Sequence, residues 1–168
     1  MHDDELDRRA LGSWRDFILA YHHITRAMER EMSERAGLTL SQYDVLLRLS
    51  ESREGRMRMS DLADAIVYST GGLTRLLERM DKAGLVERLH SAEDRRVVHA
   101  VLTDDGRRRL AEASRIHLEG IRHHFGRYLR PEEALPVSEF LHRVHGAARP
   151  GQPRPSPPGR SAGPAGSR

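Results

Sequence analysis

The sequence predicts a mainly α-helical chain built around one small β-hairpin, and three observations predict it. Apolar residues recur at alternating spacings of three and four from Leu11 to Met32, which is a helical seam. From Ser60, two short amphipathic helices separated by a tight turn lead into two short strands with a charged tip. A second long helical pattern then runs from Asp104 to about Leu129. Helix, turn, helix and hairpin in that order make a winged helix-turn-helix with a small β-hairpin wing, flanked by long N- and C-terminal helices. That shape suits placing one helix in a DNA major groove with a loop beside it.

Composition bounds the rest. The chain has 168 residues, enough for one domain with a substantial core. It has no cysteine, which excludes a disulfide framework, a thiolate metal site and a thiol redox switch. No apolar run is long enough to span a membrane, and the first nine residues are mostly charged, unlike a signal peptide. A soluble, cytoplasmic protein with no membrane partner is therefore expected. A net charge of +3 is only mildly basic, so binding a polyanion requires the charge to be clustered. At 38% hydrophobic and 5% aromatic, the chain is lean for a compact monomer.

Residues 1–10 are expected to be frayed. The seam from Leu11 then runs through Trp14, Ile18, Tyr21, Thr25, Met28 and Met32, with Phe17 and Ile24 widening it. A seam that long, outside the winged helix, needs a surface to pack on. The outer helices, 11–35 and 108–146, are accordingly read as dimerisation helices. Gly37 breaks the first of them. Ser41 is expected to cap the next helix, with Asp44 as the second half of a short-armed capping box and Tyr43, Leu46, Leu47 and Ser50 facing inward. Residues 52–56 read as a polar loop.

The winged helix spans 57–103. Ser60 is an N-cap candidate, Asp61 sits at the positive end of the helix dipole, and Leu62 and Ile66 share one face. Ser69 is a second N-cap candidate, and the next helix is expected from Thr70 to about Lys82. Leu73, Leu76, Leu77 and Met80 form its apolar stripe, while Thr70, Gly71, Thr74, Arg75 and Glu78 occupy the other face. Thr70, Thr74 and Arg75 are donors that suit base edges and phosphates. Taken alone, such a face is also what any solvated amphipathic helix shows. Gly71 and Gly72 inside a helix would each cost about 1 kcal/mol relative to alanine, while allowing close backbone approach to DNA. Gly84 reads as a left-handed cap.

Leu85–His90 and Val97–Leu102 are the two strands, with Ser91–Arg96 as the tip. Thr103-Asp104-Asp105-Gly106 caps the following helix, whose buried side is expected at Leu110, Ser114, His117, Ile121, Phe125 and Tyr128. Pro131 suits the first position of a last helix, with Glu132 and Glu133 favouring its N-terminal dipole. Pro136 should kink that helix or delay its start. Residues 147–168 are rich in Pro, Gly, Ser, Ala and Arg without periodicity, and read as a disordered basic tail.

Ser60-Asp61-Leu62-Ala63, Leu73-Thr74-Arg75-Leu76, Gly84-Leu85-Val86, Asp94-Arg95-Arg96 and Leu102-Thr103-x-x-Gly106 stand in this order at these intervals. In this the chain resembles the MarR (multiple antibiotic resistance regulator) family of bacterial transcription factors, over roughly residues 11–146. The resemblance implies that Met57-Arg58-Met59 is a one-rung strand beside the wing. It also implies that the wing tip enters the minor groove, with Asp94 fixing the Arg96 guanidinium and Arg95 facing a phosphate. The plain reading of that tip is a charged turn whose surface salt bridge is worth about 0–1 kcal/mol. The expected DNA site is Ser69, Thr70, Gly71, Thr74, Arg75, Asp94, Arg95 and Arg96. Gly71 departs from the family, whose members often carry a polar side chain there.

Many members of the family respond to aromatic acids and phenols. That implies a small aromatic or phenolic effector, with Trp14, Phe17, Tyr21, Tyr43 and His117 as candidate lining and His117 as donor to an anionic group. Some members sense zinc, and the chain has ten histidines. The adjacent pairs His22-His23 and His123-His124 point in different directions on a helix, so no metal site is expected. No phosphate loop, nucleophile elbow or paired carboxylates appear, so neither catalysis nor a cofactor is expected. The function implied is that of a ligand-responsive, sequence-specific repressor binding an inverted-repeat operator in double-stranded DNA as a homodimer. The alternative is a helical dimerisation module that regulates a protein partner without touching DNA.

Overall fold

α1 (His2–Ala36) begins well before the expected Leu11. Glu5 explains part of the extension: it pairs with Arg8 and Arg9 at 3.4 and 3.0 Å, ties one turn apart that continue the helix through residues expected to fray. The computed structural model describes residues 2–66, 72–91, 94 and 96–148. The chain forms two units, Met1–Arg127 and Tyr128–Arg168. After α1 the first unit holds α2 (Leu40–Glu51), β1 (Arg56–Arg58), α3 (Met59–Ala65), α4 (Leu73–Lys82), β2 (Val86–His90), β3 (Val98–Leu102) and α5 (Asp104–His124). Expectations for the tail beyond Ala148 lie outside the described residues.

α1 stops at Gly37, whose φ of 62° is left-handed, and Arg109 of α5 donates to the Ala36 carbonyl left open there. The cap of α2 is Thr39 rather than Ser41. Its hydroxyl accepts from the Gln42 backbone at 3.1 Å and the Gln42 side chain accepts from the Thr39 backbone at 2.8 Å, a complete capping box. Gln42 has the reach for this that Asp44 lacks. Asp44 instead turns inward and is buried, 3.3 Å from Arg48. The inward face of α2 is Leu40, Tyr43, Val45, Leu46 and Leu49, whereas Ser50 is exposed and donates to the Leu47 carbonyl.

The three strands form an antiparallel sheet in the order β1-β3-β2. β1 sits one residue earlier than expected and pairs Met57 with Ala100. It runs straight into α3, so Arg58 holds the N-cap position without a side-chain bond, and Ser60 bonds Asp61 instead of capping. α4 starts at Leu73, later than expected. Gly72 is its N-cap at φ 84°, so it lies outside the helix and carries no helix-interior penalty.

Thr103 caps α5 as expected, accepting from the Gly106 backbone at 2.9 Å and donating to the Gly84 carbonyl at 2.7 Å. A Cβ on Gly106 would fall 2.1 Å from the Leu85 carbonyl oxygen, so only glycine lets α5 lie against the entry to the wing. α5 ends at His124, short of Leu129, and a 3-10 turn follows at Gly126–Tyr128. Its buried face is Leu110, Ala113, Ile116 and Gly120. Ser114 and His117 are only half-buried, and Ile121, Phe125 and Tyr128 are exposed. The expected stripe is one position off because small residues carry the contact: Met28 of α1 comes within 3.4 Å of where a Gly120 Cβ would stand. The core joins Met28 and Met32 to α2, α4, the sheet and α5 through Leu46, Leu62, Leu77 and Val86.

In the second unit, α6 (Pro131–Ala148) starts at Pro131 and runs through Pro136, which does not delay its start. Glu133 accepts from the Arg130 backbone at 3.1 Å, covering a donor ahead of the helix. No helix among the described residues is long and apolar enough to cross a membrane.

Candidate nucleic-acid interface

The period of α4 decides what it presents. Leu73, Leu76, Leu77 and Met80 are buried, which seats the helix on the core. The same rotation leaves Thr74, Arg75, Glu78 and Arg79 exposed on the other side. Thr74 and Arg75 thus stand near the start of a rigid helix, as groove readers require. Ser69, Thr70 and Gly71, the other expected readers of this segment, lie outside the described residues.

The wing is set by register. β2 and β3 pair from Val86↔Leu102 to His90↔Val98. The tip then closes with Ser91 donating to Val97 at 2.8 Å and Val97 to Asp94 at 2.9 Å. Asp94 accepts three hydrogen bonds from Arg96: the backbone N–H at 3.0 Å, Nε at 3.1 Å and Nη2 at 3.2 Å. The Arg96 side chain is 91% exposed, so the carboxylate fixes the pose of a guanidinium that is otherwise in water. These bonds, the side-chain pair first and the backbone N–H second, hold the Asp94 carboxyl below its usual range. Arg95 lies outside the described residues.

One contact between α4 and the wing has no signature in the sequence. Glu78 on α4 and Arg88 on β2 face each other at 3.6 Å. Ten residues and a turn separate them, so no helical or hairpin spacing announces the pair.

The five expected effector residues do not assemble within one chain. Tyr43 and His117 stack with centroids 4.5 Å apart, and Trp14 and Phe17 approach at 6.1 Å as a separate pair. Trp14, Phe17 and Tyr21 are exposed on the N-terminal half of α1. At about 1.5 Å per residue, roughly 20 Å of helix separates Trp14 from Met28, where α1 meets α5. A cleft of about 610 Å³ beside α1 and α5 is lined by Glu31, Arg35, Glu119, Arg122, His123 and Arg127, a charged lining without aromatics. His117 is a polar feature in its own right. Its Nε2 is buried with no hydrogen-bond partner among the described residues. Burial lowers its pKa, and the nearby Asp44 charge opposes the shift. His124 bonds Glu31 at 2.7 Å, tying α5 to α1. Among the described residues no three His, Asp or Glu side chains are grouped to hold a metal ion.

Known proteins share this fold. The MarR family model matches residues 38–98, from the end of the α1–α2 turn into β3. The HTH-type transcriptional repressor MdtR of Bacillus subtilis is 30% identical over 119 residues, covering 71% of this chain and 71% of MdtR. AbsC, a MarR family transcriptional regulator from Streptomyces coelicolor, is 34% identical, covers 81% of this chain and 91% of its own, and superposes with a TM-score of 0.73. The chain belongs to the MarR family. It is a winged helix-turn-helix, DNA-binding transcription regulator. A second regulator of this family from S. coelicolor, Sco3205, was solved in complex with DNA. It is 28% identical, covers 82% of this chain and 87% of its own, and has a TM-score of 0.75. The matched residues 38–98 hold α2, β1, α3, α4 and β2 and end at the first residue of β3.

Proposed function

We propose that this MarR-family protein is a cytoplasmic repressor that binds an inverted-repeat operator as a homodimer. The observation that carries the reading is Arg96, held by Asp94 yet 91% exposed at the wing, on the same unit as the exposed Thr74 and Arg75 of α4. Thr74 and Arg75, with Ser69, Thr70 and Gly71 ahead of them, read the major groove. Asp94, Arg95 and Arg96 serve the minor groove. The name of MdtR supports repression, and the Sco3205 complex supports DNA as the ligand.

Residues 11–35 and 108–146 form the dimer in this reading. Symmetry then requires two α4 helices to meet successive major grooves about 34–36 Å apart. Any ligand that changes the angle between winged domains releases the DNA. A small aromatic or phenolic acid is the effector class we assign, with His117, stacked on Tyr43, as the donor it meets.

The test is binding to DNA selected by the protein from a random pool. Arg96→Ala should weaken binding by about 1–3 kcal/mol, the scale of one good groove contact. Arg75→Ala should weaken it and also relax the selected sequence. Affinity should fall steeply with salt as phosphate contacts release counterions. Unchanged affinity in Arg96→Ala would remove the wing from the interface. His117→Ala should keep DNA affinity while losing displacement by aromatic acids.

A further inference from the structure

The recognition helix and the wing read DNA together only if their separation is fixed. Apolar packing fixes the buried side of α4, where Leu77 and Met80 are fully buried. It does not reach the outer side, where Glu78 stands with half its side chain in water. Glu78 has two cations on its own helix at spacings that normally pair, Arg75 three residues before and Lys82 four residues after. It instead meets Arg88 of β2, at 3.6 Å between Oε1 and Nη1.

Arg88 is unusual for a wing residue. Its register partner is Ala100, which is fully buried, and it shares that face of the sheet with the half-buried Met57. The arginine stem therefore runs across the helix-facing side of the sheet, and only 29% of its side chain is exposed. Its Nε is buried with no hydrogen-bond partner among the described residues. An unsatisfied buried donor costs free energy, so another interaction of the same side chain must offset it. The pairing with Glu78 is that interaction.

We propose that the Glu78–Arg88 pair is a strut that sets the distance between α4 and the wing, making Arg88 a positioning residue for DNA recognition. This rests on the reading that α4 and the wing bind DNA. The strut has a second consequence. Glu78 lies one turn from Arg75, so an unneutralised carboxylate there would face the DNA phosphates. Arg88 cancels that charge while aligning Arg96 for its groove.

A strut and simple charge repulsion predict opposite signs for one substitution. Glu78→Gln removes a negative charge beside a polyanion, so electrostatics alone would tighten binding. If the pair is a strut, Glu78→Gln loosens binding to the selected DNA by about threefold to tenfold, the lower part of the range for coupled contacts. Arg88→Met loosens it at least as much, and Arg88→Lys recovers part of the loss. The cost of Arg96→Ala also shrinks in the Glu78→Gln background, because a wing no longer held has less to lose; a role confined to fold stability would leave that cost unchanged. Glu78→Gln is the safeguard against misfolding, since its side chain is largely solvated, and its melting temperature should stay near the parent's. Tighter or equal binding by Glu78→Gln overturns the strut while leaving DNA binding intact. Failure of the parent protein to select any sequence overturns both.

Discussion

One apolar spacing along α1 ends in two opposite environments. In its C-terminal half Met28, Met32 and Ala36 are 6%, 1% and 3% exposed. In its N-terminal half Leu11, Trp14 and Ile18 are 67%, 60% and 42% exposed. The difference lies in what crosses the helix. α5 reaches the C-terminal half, where Gly120 lets Met28 approach and where Arg35–Glu119 and Glu31–His124 pair across the two helices. No such pair from α5 reaches Leu11 to Tyr21 among the described residues. Periodicity therefore reports that a helix has an apolar face, and says nothing about what covers it. Contiguous exposed apolar surface marks an interaction site, and the half of α1 that no described element of its own unit covers is where the proposed second copy belongs.

The largest expected effect breaks the covered half. Met32→Ala should destabilise the fold by about 2–5 kcal/mol, the cost of a lost core side chain and its cavity. Chemical denaturation should give the same loss at low and high protein concentration, because the contact lies within one chain. A loss under 1 kcal/mol would mean that α5 does not pack on α1 as described.

The next effect tests the bare half. Ile18→Asp should weaken association by about 2 kcal/mol or more, as expected of a central interface side chain. Sedimentation of the variant should show monomer at concentrations where the parent is dimeric. The monomer should keep its helical circular dichroism, because Ile18 touches little of its own core. A variant as dimeric as the parent would reduce the exposed seam to ordinary surface.

The same contrast explains what was legible in the sequence. The order of elements, the Thr103 cap, the Gly84 turn and the buried stripe of α4 were readable, because each rests on local spacing or one side-chain bond. The start of α1, the cap of α2 and the buried face of α5 were not. Each turned on a choice between neighbours: Glu5 extending the helix, Gln42 outreaching Asp44, and Gly120 carrying a contact that an apolar count assigns to Ile121. At the candidate interface, the pairing of Asp94 with Arg96 was readable from the Asp-x-Arg spacing, whereas Glu78–Arg88 joins two elements and has no spacing to read. The candidate effector residues are a third case: Trp14 and His117 both have inward faces by pattern, and within one chain the length of α1 separates them.

The smallest effect concerns protons in the covered half. His117 sits on α5, stacked on Tyr43, with its Nε2 buried. Burial holds its pKa below the usual 6.5, and the Asp44 charge opposes this without reversing it. The unfolded chain therefore binds this proton more readily than the folded one. Stability contributed by neutral His117 is fully present above about pH 6.5 and is lost as pH falls toward the folded value. Glu119 and Asp94 have pKa values held down mainly by hydrogen bonds from Arg35 and Arg96, so their contributions are lost only as pH falls below about 4.5 and 3.8. The two windows are separate. The His117 effect should be the smallest of the set, because solvent screens a half-buried ring. Melting temperatures between pH 7.5 and 5 should decline for the parent and decline less for His117→Gln, while Ile18→Asp keeps the parent's slope. Equal slopes for the parent and His117→Gln would mean that the ring takes up its proton as readily folded as unfolded, and that the covered half is no more pH-sensitive than the bare one.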